Sequence, residues 1–153
     1  MSTISQETMP AFIIASLRKI IPNYHHERTL WQEIEQLLQQ SNASVKAHGM
    51  AGATFYDTDF KPSNVDVEVW VEVTEPFEAQ PPLNCQKIPE RPVLRAVLHG
   101  DYSLMPAIAR DVDTYIEEHN LAIGPMFNIY RVGPAQNPDP KTWVTEMCFP
   151  ILH

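Results

Sequence analysis

Between Asn64 and Val73, valines alternate with polar and aromatic residues. Val65, Val67, Val69, Val71 and Val73 fall on one side of an extended segment, and Asp66, Glu68, Trp70 and Glu72 on the other. That period of two predicts a strand. The run PAFIIASLRKII, Pro10 to Ile21, is rich in Ile, is bounded by proline and predicts another. Between the two, Leu30, Trp31, Ile34, Leu37 and Leu38 recur on one helical face with Gln and Glu between them. This spacing predicts an amphipathic helix near 26–41, ended by Ser41 and Asn42. GMAGATFYD reads as a short strand entered through glycines, and DTDFKPSN as the turn that follows it.

From Thr74 the chain passes through Pro76, Pro81, Pro82, Pro89 and Pro92, which preclude a central strand or a helix interior, so about 74–91 reads as a connector. After it the order returns: a strand in PVLRAVLHG, a helix carrying Ile108, Val112, Tyr115 and Ile116, a strand in GPMFNIYRV, a loop PAQNPDPK and a strand in TWVTEMCFPI. The copies align by position. Tyr24 matches Tyr102, Leu30 Ile108, Ile34 Val112 and Leu38 Ile116, each at an offset of 78 (102 − 24). Gly49 matches Gly124 and Phe55 matches Tyr130 at 75 (130 − 55), and Glu68 matches Glu146 again at 78 (146 − 68). An ordered set of this kind is a repeat.

The expected fold is therefore α+β, with two β-α-β-β repeats, about 10–73 and about 92–152, related by a pseudo-twofold axis within one domain spanning 1–153. Each curved antiparallel sheet carries one helix, and a groove lies between the repeats. Strand parity places the valines of 65–73 under the helix and Glu68 and Trp70 on the groove face. In the second copy it places Val144, Glu146, Cys148 and Pro150 on the groove face, and Trp143, Met147, Phe149 and Ile151 under the helix.

Composition narrows the function. With 153 residues, 44% of them hydrophobic, the chain is long enough for a sizeable core. No apolar run reaches membrane-spanning length, and the opening MSTISQETMP has neither the basic flank nor the apolar stretch of a signal peptide. Cys85 and Cys148 form no CxxC pair, which fits a cytoplasmic protein without disulfides. A net charge of −8 argues against direct nucleic-acid binding. His25 and His26 are adjacent, and His48, His99, His119 and His153 lack HxxxH or HExxH spacing, so no metal site is expected. With five glycines there is no phosphate loop and no G-x-S-x-G elbow, and no cofactor is called for.

The stretch MPAFIIASLRKIIPNYHHERTLW, the strand VDVEVWVEV, the segment LRAVLHGDYSLMPAIARDVDTYIEEHNL, the segment GPMFNIYRV and the closing TEMCFPI together resemble GyrI-like domains, from about Met9 to the end. Such domains form the effector-binding portions of MerR-type and AraC-type regulators, multidrug-responsive ones included, and also occur alone. The resemblance implies a groove for planar, lipophilic, commonly cationic compounds. It places the family's last-strand glutamate on Glu146, the preceding tyrosine on Tyr130 and the first-copy glutamate on Glu68. No helix-turn-helix precedes the first strand in this sequence, so a stand-alone module is expected, with a sensor domain cut from a regulator as its rival.

The expected ligand-binding set is Glu146, Glu68, Trp70, Tyr130, Phe55, Tyr102 and Met126. Carboxylates would neutralise a cation, aromatic rings would stack on it, and thioethers such as Met50 and Met126 would adapt to several shapes. The enzymatic rival, also implied by the resemblance, is hydrolysis of electrophilic cyclopropane-containing toxins. In it Glu146 serves as general base and Tyr130 orients or protonates the opening ring. A third reading has the acidic surface engage a nucleic-acid enzyme such as gyrase. A homodimer is left open.

Overall fold

The computed structural model describes residues 3–57, 61–134 and 136–152. In chain order the elements are β1 (Thr3–Met9), β2 (Phe12–Ile21), α1 (Glu27–Gln39), β3 (Ala51–Phe55), β4 (Val65–Val73), β5 (Asn84–Ile88), β6 (Arg91–His99), α2 (Met105–Glu118), β7 (Phe127–Val132) and β8 (Val144–Pro150). They form two compact units, one of Pro10–Glu90 and one of Met1–Met9 with Arg91–His153. The expected α+β class is borne out, with antiparallel strands and one helix per repeat. Of the expected turn DTDFKPSN, Thr58 to Phe60 lie outside the described residues.

The first unit is a four-stranded antiparallel sheet in the order β5-β2-β4-β3. Helix α1 packs on β2 and β4 through the buried Leu30 and Ile34. Burying each such side chain contributes roughly 1.5–3 kcal/mol. The valine side of β4 faces this helix. Lys19 stands opposite Val67 in the ladder, and its ammonium pairs with Glu33 of α1 at 2.7 Å. The polar and aromatic side of β4 is turned away from the helix, as the parity predicts.

The second unit repeats the plan in the order β1-β6-β8-β7. Ile108 and Val112 of α2 close on Leu94, Ala96, Leu98, Met147 and Phe149, with Ile151 packed against the same cluster. Each helix is entered the same way. Asn23 and Asp101, 78 apart (101 − 23), accept from the backbone N–H groups of His25 and Ser103 and so cap the 3-10 turns that lead into α1 and α2.

Two strands depart from the expectation. The segment 74–91 is not a bare connector, because Asn84–Ile88 forms β5 on the open side of β2. Prolines flank this segment without interrupting it, and a five-residue edge strand asks for hydrogen bonds on one side only. Likewise the polar stretch Thr3–Met9 forms β1 on the open side of β6. Each copy is therefore preceded by an edge strand, and that strand completes the sheet of the other copy's unit. Among the described residues no helix is long and apolar enough to cross a membrane.

Candidate functional site

On the helix-free face of the first unit, the ladder sets Arg18 and Thr54 opposite Glu68, and Ser16 and Gly52 opposite Trp70. Glu68 is 4% exposed. A desolvated carboxylate needs donors, and Glu68 receives two: the Tyr56 hydroxyl donates to it at 2.5 Å and the Gln86 amide at 2.8 Å. Gln86 comes from β5 and also donates to Ser16 Oγ at 2.9 Å. Arg18 is directed elsewhere. Its fork holds Asp66 at 2.9 and 2.7 Å, and its guanidinium lies over the Tyr56 ring, 3.6 Å from the centroid. The hydrogen bond from Arg18 holds the Asp66 carboxyl below the usual carboxylate range. Burial, aided by the bond to Glu68, pushes the Tyr56 hydroxyl above its ordinary value. Among the described residues Glu68 thus has two uncharged donors and no ion pair. Beside it Trp70 is buried, tilted against Phe12 with ring centroids 5.7 Å apart, and donates from Nε1 to Thr54 Oγ1 at 3.2 Å.

The equivalent face of the second unit is built differently. Glu146, also buried, accepts from Arg95 Nη1 at 2.9 Å and from Arg131 Nε. Arg95 Nη2 reaches on to Glu7 of β1 at 2.5 Å. The register shift between Tyr130 and Val132 is a bulge in β7, and the extra residue there, Arg131, carries its guanidinium to Glu146. Arg91 lies over the Phe127 ring at 4.8 Å. Cys148, opposite Arg95 in the ladder, is buried, and burial first, then the Glu146 charge, pushes its thiol up to about 12. Glu146 therefore already holds two counter-ions. Glu68, by contrast, has uncharged donors and no ion pair among the described residues.

The other expected site residues lie on the helix side of their sheets. Phe55 stands opposite Val67, with its ring 6.0 Å from that of Tyr24. Tyr130 stands opposite Thr145, 6.0 Å from Tyr102, which in turn lies 5.0 Å from Trp143. Equal spacing in the two copies supports the alignment of Tyr24 with Tyr102 and Phe55 with Tyr130. Tyr102 and Met126 pack against the α2 core cluster. The seven residues thus divide: Glu68 and Trp70 share one helix-free face, Glu146 occupies the equivalent face of the other unit, and Phe55, Tyr102, Met126 and Tyr130 line helix-side cores. Glu146 and Tyr130, paired in the hydrolytic reading, lie on opposite faces of their sheet.

Sequence reasoning missed Tyr56, Gln86 and Arg18 around Glu68, and Arg95, Arg131 and Glu7 around Glu146. One signal was present. The offset of 75 that aligns Phe55 with Tyr130 also aligns Tyr56 with Arg131 (131 − 56). The remaining partners arrive from neighbouring strands, and only the ladder reveals them. Among the described residues no three His, Cys, Asp or Glu side chains are grouped to hold a metal ion.

A family model described as a GyrI-like small molecule binding domain matches residues 2–152. The chain is similar to the crystal structure of the EcmrR C-terminal domain at a TM-score of 0.90 and 19% identity, covering 99% of this chain and 98% of that one. It is similar to SAV2435 bound to tetraphenylphosphonium at a TM-score of 0.61 and 12% identity, covering 97% and 93%. It is also similar to a hydrolase encoded by lin2189 from Listeria innocua at a TM-score of 0.66 and 10% identity, covering 97% and 91%. No curated protein sequence matches the chain.

Proposed function

The chain belongs to the GyrI-like small-molecule-binding domain family, and from that premise we propose that it is a cytoplasmic module that takes up lipophilic cations, with Glu68 as the charge receptor and Trp70 as the neighbouring aromatic wall. The observation that carries this reading is the buried Glu68 carboxylate, which receives hydrogen bonds from Tyr56 and Gln86 and has no cationic partner among the described residues. Neutral donors hold such a group in place without cancelling its charge, so a ligand cation gains the Coulomb term that a resident arginine would otherwise take. Arg18 is held by its fork on Asp66 and interacts with Glu68 through space without forming an ion pair. The relative solved with tetraphenylphosphonium supports a lipophilic cation as the ligand class.

The test is a calorimetric titration of the intact chain with tetraphenylphosphonium and, separately, with the uncharged triphenylphosphine oxide. The cation should bind with saturation and the neutral compound more weakly. Equal binding of the two, or no saturable binding of the cation, overturns the proposal. Hydrolysis through Glu146 and Tyr130 draws no support from the geometry, since the two side chains stand on opposite faces of the sheet.

A further inference from the structure

Close to the carboxylate assigned to a ligand cation, the first unit keeps a cation of its own. Glu68 is buried, and the Tyr56 hydroxyl donates to it at 2.5 Å. Burial first, then the bond to Glu68, pushes that hydroxyl above its ordinary value, so it stays protonated and donating. On the Tyr56 ring lies the Arg18 guanidinium, 3.6 Å from the centroid, a distance of direct stacking. Arg18 covers the ring while its fork is anchored on Asp66 at 2.9 and 2.7 Å. Its side chain is 47% exposed, so the guanidinium lies between the tyrosine face and solvent. Glu68 attracts it through space as well.

The fold does not demand this arrangement. Arg18 faces Glu68 in the ladder as Val97 faces Glu146, and Asp66 precedes Glu68 by two residues as Val144 precedes Glu146. The second unit thus has two valines where the first has an ion pair, and its strands pair all the same. As a partly exposed pair, Arg18 and Asp66 add little stability. Their surroundings suit a lipophilic cation. Asp66 is flanked on one side by Ile20, which stands opposite it in the ladder and is 62% exposed, and on the other by Tyr56, whose backbone N–H donates to the Asp66 carbonyl at 3.1 Å. The aromatic part of that surface is the part Arg18 occupies.

We infer that Arg18 is an internal competitor at the cation site: its guanidinium holds the face of Tyr56 on which a ligand cation would stack, and a ligand binds by displacing it. Arg18 thereby lowers the affinity of the site for cations. This role deepens the cation reading and rests on Glu68 as the charge receptor.

The test is a calorimetric titration of tetraphenylphosphonium and triphenylphosphine oxide into the wild-type chain, Arg18→Gln, the double variant Arg18→Gln/Asp66→Asn, and Lys19→Gln. The double variant keeps the wild-type net charge but has no guanidinium on the ring. Lys19→Gln removes the adjacent positive charge, which pairs with Glu33 on the helix side, and leaves Arg18 in place. Arg18→Gln and the double variant should each bind the phosphonium about three- to tenfold more tightly than the wild type, with a smaller change for the oxide. Lys19→Gln should match the wild type within about twofold. The half-exposed position of Arg18 lets its variants fold, which circular dichroism verifies. If the wild type binds the phosphonium and Arg18→Gln binds it no more tightly, the competitor role is overturned while Glu68 stands as the receptor. A gain that vanishes in the double variant, is equalled by Lys19→Gln or is matched by the oxide reflects bulk charge or space, and overturns the role as well. Absence of saturable phosphonium binding in all four proteins overturns both the role and the cation reading.

Discussion

Single residues show how environment separates groups of the same type. Cys148 is sealed into a sheet beside Glu146, its thiol pushed up to about 12, whereas Cys85 on the edge strand β5 is only half-buried. A thiolate is the reactive form. A disulfide reagent such as Ellman's should therefore modify one thiol of the native protein at neutral pH, and the second only on unfolding. Rapid reaction of both would contradict the burial of Cys148. Asp66 carries a pH dependence of definite sign. Its carboxyl is depressed in the folded state by the Arg18 hydrogen bond, so the stability it adds is present above the unfolded carboxylate value of about 3.9 and lost as pH falls through the folded value. Asp66→Asn should cost up to about 1 kcal/mol at neutral pH, as for a partly exposed pair, with the difference closing in acid. Denaturant unfolding at several pH values checks it. These ion pairs and hydrogen bonds were not legible in the sequence, because each joins residues from different strands.

Among the elements, β4 and the two helices were legible because their periodicities are strong and their burial one-sided. Ile34 is 1% exposed beneath α1, and truncating it to Ala should cost about 2–5 kcal/mol in thermal or denaturant unfolding. Glu33→Ala, one residue away, removes only an exposed ion pair with Lys19 and should cost below about 1 kcal/mol. Asn23→Ala should remove the cap before α1 at about 1 kcal/mol. If the Ile34 and Glu33 variants lost equal stability, the assignment of the helix faces would be wrong. Strands β1 and β5 were not legible. TISQETM has few apolar residues and NCQKI is short and lies among prolines, so neither carries a pattern of its own. Their identity comes from the exposed edges of β6 and β2, which supply hydrogen-bond partners for almost any extended segment. The bulge that carries Arg131 toward Glu146 also leaves no mark in composition, and it explains why reading β7 by strict alternation misses that arginine.

For the whole molecule, the repeat was the most informative feature of the sequence, since it anticipated the order of elements, the helix faces and the equivalence of Glu68 with Glu146. What it could not convey was divergence. Around the equivalent glutamates, Tyr56 donates in one copy and the bulge residue Arg131 in the other, and Ser16 in one copy is replaced by Arg95 in the other, so the two carboxylates have different surroundings. The net charge of −8 suits the proposed cation uptake but does not assign it to either copy. The comparison that does is a titration of tetraphenylphosphonium and triphenylphosphine oxide into the wild-type chain, Glu68→Gln and Glu146→Gln. Glu68→Gln should weaken the cation about tenfold while leaving the neutral compound unchanged, and Glu146→Gln should leave the preference for the cation intact. A selective loss at Glu146→Gln, or an equal loss of both compounds at Glu68→Gln, would contradict the assignment of Glu68 as the charge receptor.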